Sequence, residues 1–275
     1  ERAELIMLSD IAGYVGADTC GCLLAIRQDQ QEEISLMIDI GTNGEMVLGN
    51  RERMVTCSTA AGPAFEGAKI ECGMRGAAGA VDHVKYEDGK WNYTTVGNKP
   101  AVGLCGSGLI DLVAGLLDAG MLDENGVLRS GQEKQGVFIL VLPERGGNER
   151  GVYLTQKDLG EVQLAKAAIA AGIQMLMERL GITEDDICSV YIAGAFGNYM
   201  DPVSAGKIGL FPATLVKKVK PVGNAAGEGA KIALVNEKEM LEMDELVRKI
   251  EFVELAASAD FQDHFIDELG FETGE

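Results

Sequence analysis

Residues 36–49, with the sequence LMIDIGTNGEMVLG, combine carboxylates with a turn made of glycines and small polar residues. The groups that could do chemistry there are Asp39, Gly41, Thr42, Asn43, Gly44 and Glu45. Successive backbone N–H groups in such a turn form a concave site for an anion, and a nearby carboxylate can hold the Mg²⁺ that accompanies a nucleotide. The stretch is therefore a candidate phosphate site. An ordinary hairpin is the alternative, and this short pattern alone does not decide between the two.

Two strands and a turn must position these groups. Ile38 and Ile40 alternate with polar neighbours on the first strand, and residues 46–48 form the return strand. Asn43-Gly44 is a strong signal for a two-residue hairpin turn. The sequence therefore predicts strands near 35–40 and 44–49 that are joined at Asn43 and Gly44.

Two more glycine-rich segments could line a ligand. The loop at 58–81 contains Gly62, and its glycines allow close backbone approach, which suits a ligand or tight packing about equally. A second turn, with Gly106, Ser107 and Gly108, opens an apolar helix. The free amides and positive end of that helix could bind an anion. Ser107 as a simple N-cap is the alternative.

A last candidate loop follows a buried strand predicted at 188–193. Ligands tend to lie beyond the carboxyl ends of strands in α/β sheets, so this loop is a candidate binding segment. Its candidate residues are Gly194, Ala195, Gly197 and Asn198.

Two predicted helices, near 16–27 and 225–235, each carry small residues at four-residue spacing. The two sets are Ala17, Gly21 and Ala25, and Ala225, Gly229 and Ala233. Small residues at this spacing leave one helix face almost bare, which lets another backbone approach closely. We expect the two helices to pack against each other through these faces.

Other patterns complete the set of elements. Thr155 and Asp158 predict a capped start for a long amphipathic helix that ends at Gly181. Asp88-Gly89 predicts a hairpin within 82–97. Further strands are expected near 53–58 and 217–222, and a charged helix, a strand and an amphipathic segment after residue 237.

The composition is that of a globular protein. The chain has 275 residues, of which 47% are hydrophobic and 24% charged, and a net charge of −19. Such acidity argues against nucleic acid as a partner, because phosphates would be repelled. The six cysteines show no metal-ligand spacing and suggest reduced, buried thiols. The chain shows no signal peptide and no long apolar run, so we expect a cytoplasmic protein that does not bind membranes.

The order of these features resembles the second half of an actin-like ATPase, the superfamily of sugar and acetate kinases and of heat-shock chaperone ATPases. By this resemblance, 16–27 is the first connecting helix, 39–45 the second phosphate loop, 190–198 the adenosine motif and 223–235 the second connecting helix. The implied fold is α/β, a ribonuclease H-like lobe with a large insertion at about 60–150. The implied division is a loop and connecting helix at 1–30, the lobe at 31–236 and a C-terminal extension at 237–275.

Five motifs are more specific. GYVGADT, DIGTNGE, STAAGPAFEGAKIECGMR, LCGSGLIDL and YIAGAFGNYMD resemble the C-terminal region of the ATP-dependent reductive activators of corrinoid proteins. That family returns Co(II) corrinoid to Co(I) for methyl transfer. The resemblance implies ATP and Mg²⁺ as ligands, a corrinoid protein as partner, and Asp39 as the catalytic residue that positions Mg²⁺ through water.

The chain departs from this family pattern in two respects. It has one phosphate loop where the family has two, and it lacks the cysteine set of the family's two-iron two-sulfur domain. We expect both to lie upstream of Glu1, so that no iron–sulfur cluster belongs to this stretch. Three possibilities stay open: a small-molecule kinase with Glu45 or Glu66 as base, a non-catalytic scaffold, and a homodimer.

Overall fold

A six-stranded mixed sheet lies at the centre of the molecule, in the order β10-β9-β1-β2-β3-β11. The computed structural model describes residues 7–129, 136–194, 197–256 and 258–271. The strands of this sheet are β1 (Ser35–Ile40), β2 (Gly44–Gly49), β3 (Met54–Thr59), β9 (Ser189–Ala193), β10 (Val219–Gly223) and β11 (Ile250–Phe252). The helices are α1 (Ala17–Ile26), α2 (Gly106–Asp118), α3 (Gln156–Leu180), α4 (Pro202–Lys207), α5 (Ala225–Val235), α6 (Glu237–Val247) and α7 (Ala259–Asp267).

The pairing of the central strands confirms the predicted α/β lobe. Strands β1, β2 and β3 form an antiparallel meander, while β9 and β10 continue the sheet parallel to β1. The candidate phosphate hairpin and the strand predicted at 188–193 therefore belong to one sheet, as expected for a single lobe. Strand β11, from the C-terminal part of the chain, pairs in parallel with β3 at the far edge.

Both faces of the sheet are buried. Leu36 and Ile38 belong to the main apolar core, which also contains Ile169 of α3. Met37 and Val47 point to the other face and share a smaller apolar cluster with Cys22 of α1 and Ala225 of α5. Burial on both sides explains the unbroken apolar run from Leu36 to Ile38 in β1.

Helix α3 begins and ends where the sequence predicted. Thr155 and Asp158 form a reciprocal capping box, and Gly181 ends the helix in the left-handed conformation. The middle of α3 approaches the sheet closely, because a Cβ on Gly172 would lie 2.4 Å from the Met46 methyl carbon. The helix therefore packs directly over the hairpin that carries the candidate phosphate loop.

The close crossing of α1 and α5 is also confirmed. A Cβ on Gly229 would lie 1.9 Å from the Gly21 carbonyl oxygen, and a Cβ on Gly21 would lie 2.7 Å from the Ala226 carbonyl oxygen. No side chain larger than hydrogen fits at either position without a shift of the backbone. The two glycines thus set the distance between the helices.

Residues 60–155 add two small sheets and α2. Strands β4 (Ala80–Glu87), β5 (Lys90–Thr95) and β6 (Gly103–Leu104) form one sheet, and β7 (Val137–Val141) and β8 (Val152–Thr155) the other. The β4–β5 turn is the predicted one, with both Asp88 and Gly89 at positive φ. Apolar residues of this region belong to the same core cluster as the central sheet. The division into lobe, insertion and extension stays a prediction.

The predicted turn at Asn43-Gly44 is wrong. Ile40 pairs with Gly44, so the hairpin loop has three residues, Gly41 to Asn43, and neither Asn43 nor Gly44 is among the residues with positive φ. Gly44 is instead the first residue of β2, where a Cβ would lie 3.0 Å from Thr59 Oγ1 and 3.1 Å from Ile169 Cγ1. Packing under α3 therefore explains this glycine, and turn geometry does not.

The cysteines are free thiols, but they are not uniformly buried. Cys188 is exposed and Cys72 half-buried, whereas the other four are buried. The prediction of buried thiols is wrong for Cys188, which precedes β9 at the surface. Within the described ranges, the structure contains no helix long and apolar enough to span a membrane.

Candidate functional site

The candidate residues gather at one edge of the central sheet, where β1, β9 and β10 all end. These strands run parallel, so their carboxyl ends lie side by side. The loop after β9 is tied to the end of β10 by a hydrogen bond from the Gly194 N–H to the Gly223 carbonyl. Such an edge is the usual ligand side of an α/β sheet.

Asp39, the next-to-last residue of β1, lies between α1 and the loop after β9. The Cys22 thiol donates to Asp39 Oδ2 at 3.6 Å. On the other side, a Cβ on Gly194 would lie 3.1 Å from Asp39 Oδ1, so only glycine leaves the carboxylate this space. Burial raises the pKa of Asp39 above its usual value, and the charge of Asp18 raises it further.

Glu45 lies directly opposite Asp39 on β2. Its carboxylate accepts a hydrogen bond from Ser58 Oγ at 3.2 Å. Burial raises the pKa of Glu45 to about 7, with Asp39 adding to the rise and Ser58 opposing it. Two carboxylates are thus held side by side in a partly desolvated position, which a cation would stabilise.

The three-residue hairpin loop is tied to the following glycine-rich loop. The Gly62 N–H donates to the Thr42 carbonyl at 2.8 Å, and Thr42 Oγ1 donates to Glu66 Oε2 at 2.8 Å. Gly62 has φ +77°, and a Cβ there would meet no atom within 4 Å. Thr42 and Asn43 are exposed, so the loop presents its polar groups outward.

The start of α2 and the end of β1 line one common cavity. This cavity of about 560 Å³ is lined by Ile40, Glu66, Gly106 and Ser107, among others. The N-cap of α2 is Cys105, so the interpretation of Ser107 as the N-cap is wrong. A Cβ on Gly108 would lie 2.2 Å from the Val81 carbonyl oxygen, so this glycine is required for packing against β4.

Three of the four candidate residues after β9 lie in the described part of the chain. Ala195 lies outside the described residues. Gly197 is buried, and a Cβ there would lie 2.6 Å from Ile192 Cγ2. Asn198 is exposed, with its amide nitrogen 2.8 Å from where a Cβ on Gly223 would lie. Gly194 and Asn198 thus lie near the ends of β1 and β10, whereas Gly197 has a packing role.

The donor set fits a nucleotide with Mg²⁺. Carboxylate oxygens are the ligands that Mg²⁺ prefers, and the ion is often held by one or two carboxylates together with substrate phosphates and water. Asp39 and Glu45 provide such oxygens. In the described part of the chain, no cluster of three or more His, Cys, Asp or Glu side chains could hold a metal ion. These residues therefore suit a cation that arrives with phosphate ligands.

Two contacts of this site were missed from the sequence. Cys22 was interpreted only as a buried thiol, and Glu66 was considered only as a kinase base. The small-residue face of α1 was the available signal for Cys22, because a helix packed that closely brings its neighbouring side chains onto the sheet. No local pattern indicates the bond between Thr42 and Glu66, which joins separate loops.

Comparison with known proteins gives a consistent result. The family described as the C-terminal domain of RACo, the ASKHA domain, matches residues 33–275. The corrinoid activation enzyme RamQ of Eubacterium limosum is 37% identical over 271 residues, which cover 93% of this chain and 45% of that protein. A [Co(II) methylated amine-specific corrinoid protein] reductase of Methanosarcina barkeri is 29% identical over 99% of this chain and 52% of its own length.

A solved structure agrees in fold. The reductive activator for corrinoid, iron–sulfur protein superposes with a TM-score of 0.90 at 39% identity, over 96% of this chain and 44% of that one. The chain thus spans about half the length of the relatives it matches. Because the family match covers most of the sequence and the sheet order agrees with the implied fold, this chain belongs to the family of C-terminal ASKHA domains of RACo.

Proposed function

We propose that this chain is the ATP-binding part of a reductive activator that returns Co(II) corrinoid proteins to Co(I). The observation that carries the proposal is the Asp39 carboxylate, held at the sheet edge between α1 and the glycine loop after β9. Its support comes from relatives named for corrinoid activation and corrinoid protein reduction. Their full-length activity is assigned to this chain only as a proposal.

Each part of the site has a role in binding. Asp39 would hold Mg²⁺, and the exposed hairpin loop from Gly41 to Asn43 would bind the phosphates, together with Gly44 and Glu45 at the start of β2. The start of α2 at Gly106 and Ser107 would add backbone donors. Gly62, whose N–H is bonded to the Thr42 carbonyl, would leave open space for the ligand. The adenosine is assigned to Gly194, Ala195 and Asn198. When bound with the nucleotide, Mg²⁺ would neutralise part of the negative charge of the phosphates.

ATP acts in this proposal by favouring one arrangement of two lobes. A ligand shifts a conformational equilibrium only by its difference in affinity for the two states, so ATP must bind the closed arrangement more tightly. The close crossing of α1 and α5 is the hinge between this lobe and the one that holds the first phosphate loop. In the full-length protein, the iron–sulfur domain that the family resemblance implies would supply the one electron that reduces Co(II) to Co(I) in the bound corrinoid protein.

Isothermal titration of Mg·ATP and Mg·ADP into the full-length protein tests the proposal. We expect both nucleotides to bind, and ATP to accelerate the appearance of the Co(I) absorption spectrum in a corrinoid protein supplied with an electron donor. If neither nucleotide gives binding heat, the result would favour a non-catalytic scaffold. Binding with phosphoryl transfer to a small molecule, and without corrinoid reduction, would favour a kinase.

A further inference from the structure

Cys22 occupies an unusual position, because it belongs both to the helix crossing and to the Asp39 site. It is fully buried in α1 and follows Gly21, the residue that meets Ala226 in the crossing. Its apolar neighbours form a cluster that contains residues of α1, α5 and the central sheet, among them Met37 and Ala225. A side chain placed there is affected by any change in how the helices cross.

The thiol bonds to the sheet and packs with residues of α5. Toward the sheet, its sulfur donates to Asp39 Oδ2 at 3.6 Å. Toward α5, it shares an apolar cluster with Ala225 and with the partly buried Ala226. A thiol, whose ordinary pKa is about 8.5, carries its proton at neutral pH, so the sulfur is a donor to the carboxylate.

Cys20 provides a natural comparison within the same helix. It is equally buried, but its apolar cluster contains Leu24 and Met243 on the α6 side of α1. Residues two positions apart in a helix point in different directions. Replacing Cys20 therefore alters core packing at a similar depth and leaves the bond between Cys22 and Asp39 in place. An effect that is specific to Cys22 therefore comes from its own surroundings, which are the Asp39 contact and the cluster between α1, α5 and the sheet.

We propose that Cys22 is a positioning residue, whose thiol orients the Asp39 carboxylate and links its position to the α1–α5 crossing. A change in the crossing displaces Gly21 and, with it, the neighbouring thiol. The carboxylate then loses one of its few donors. In the other direction, a cation near Asp39 fixes the carboxylate and stabilises one crossing geometry. This inference rests on the proposed function, since it assigns a linkage between nucleotide-borne Mg²⁺ and the hinge.

The test compares ATP affinity in Mg²⁺ with ATP affinity in EDTA, by titration calorimetry on the full-length protein. We expect the ratio of the two affinities to be roughly three- to tenfold smaller in Cys22→Ala than in the wild type, because a thiol is a weak donor to a charged group. Cys20→Ala should keep the wild-type ratio. Cys22→Ser should restore part of the wild-type ratio, because a hydroxyl also donates a hydrogen bond. The bond from Cβ to oxygen is shorter than that from Cβ to sulfur, so the hydroxyl reaches Asp39 less well.

Hydrogen exchange gives a second readout that does not depend on activity. Mg·ATP should protect peptides covering 17–26 and 225–235 in the wild type and in Cys20→Ala, and protect them less in Cys22→Ala. If the alanine variant melts too low for these measurements, Cys22→Val retains the volume without a donor. A wild-type ratio in the donor-free variants would reject the role of Cys22 alone, whereas a wild-type protein that binds no nucleotide would reject the proposed function as well.

Discussion

Asp39 is the residue on which the candidate site depends most. In the proposed function, its negative charge attracts Mg²⁺, and an amide of the same shape cannot replace that attraction. We therefore expect Asp39→Asn in the full-length protein to keep the apo melting temperature and to lose about tenfold or more in Mg·ATP affinity, the effect expected for a lost charged contact. ATP affinity in EDTA should change little.

Asn43→Ala, in the exposed hairpin loop, is a suitable comparison for this change. It alters the loop next to Asp39 without removing charge, so its effect on ATP affinity should be similar with and without Mg²⁺. Wild-type Mg·ATP binding and a normal melting curve in Asp39→Asn would remove the carboxylate from the site.

Glu45 gives a pH-dependent prediction. Its pKa is about 7 in the folded protein, above its ordinary value of 4.5, so the folded state binds more protons than the unfolded state between these values. The contribution of Glu45 to the free energy of unfolding is therefore full below about pH 4.5 and is lost as the pH rises through 7. Denaturant titrations without nucleotide should show a smaller decline across this range in Glu45→Gln.

A replacement at Glu66 separates this effect from a general change in charge. Glu66 is exposed, and Glu66→Gln removes the same charge from the neighbouring loop. It should leave the slope of stability against pH close to that of the wild type. Equal slopes in the wild type and Glu45→Gln would contradict the prediction.

At the scale of elements, the α1–α5 crossing allows a sharp packing test. A Cβ on Gly229 would lie 1.9 Å from the Gly21 carbonyl oxygen, so Gly229→Leu must separate the helices. Overpacking of this kind costs about 1–3 kcal/mol, and the shift of two backbones places this variant at the upper end. Chemical denaturation measures the loss.

Gly160 in α3 is the matched control for this variant. A Cβ at this position would meet no atom within 4 Å, so Gly160→Leu should be neutral or stabilising because leucine favours the helix. A neutral Gly229→Leu would mean that the crossing is looser than described.

The sequence predicted elements better than it predicted contacts. The four-residue spacing around Gly21 and Gly229 indicated the crossing, because a helix face without large side chains lets a second backbone pack directly against it. The turn signal at Asn43-Gly44 gave a wrong prediction. Such a signal describes only a local backbone preference, whereas Gly44 is required for packing against Ile169 of a distant helix. The same four-residue spacing indicated that Cys22 lies beside the crossing, but it did not specify the bond to Asp39, because that bond depends on how α1 is placed over the sheet.

At the scale of the whole molecule, the described chain keeps contact with the main core up to its last residue, Phe271. Phe271 is 3% exposed and belongs to the same apolar cluster as β1 and α3. Its N–H donates to the Glu124 carbonyl, and Lys166 Nζ lies 5.6 Å from the centre of its ring. We expect Phe271→Ala to lower the free energy of unfolding by about 3 kcal/mol.

Ile266, in α7, is the control for this prediction. It is 62% exposed, so Ile266→Ala should change stability by less than about 0.5 kcal/mol. Similar melting curves for the two variants would mean that the C-terminal segment contributes little to the core, as a detachable extension would.

The pairing of β11 with β3 has a consequence for biosynthesis. During translation, β3 leaves the ribosome well before β11, which covers the outer edge of β3. An uncovered strand edge is a template for pairing with other chains. The nascent protein thus exposes an unpaired strand edge from the emergence of β3 until that of β11, and chaperone binding to β3 should end once residues 250–252 have left the exit tunnel.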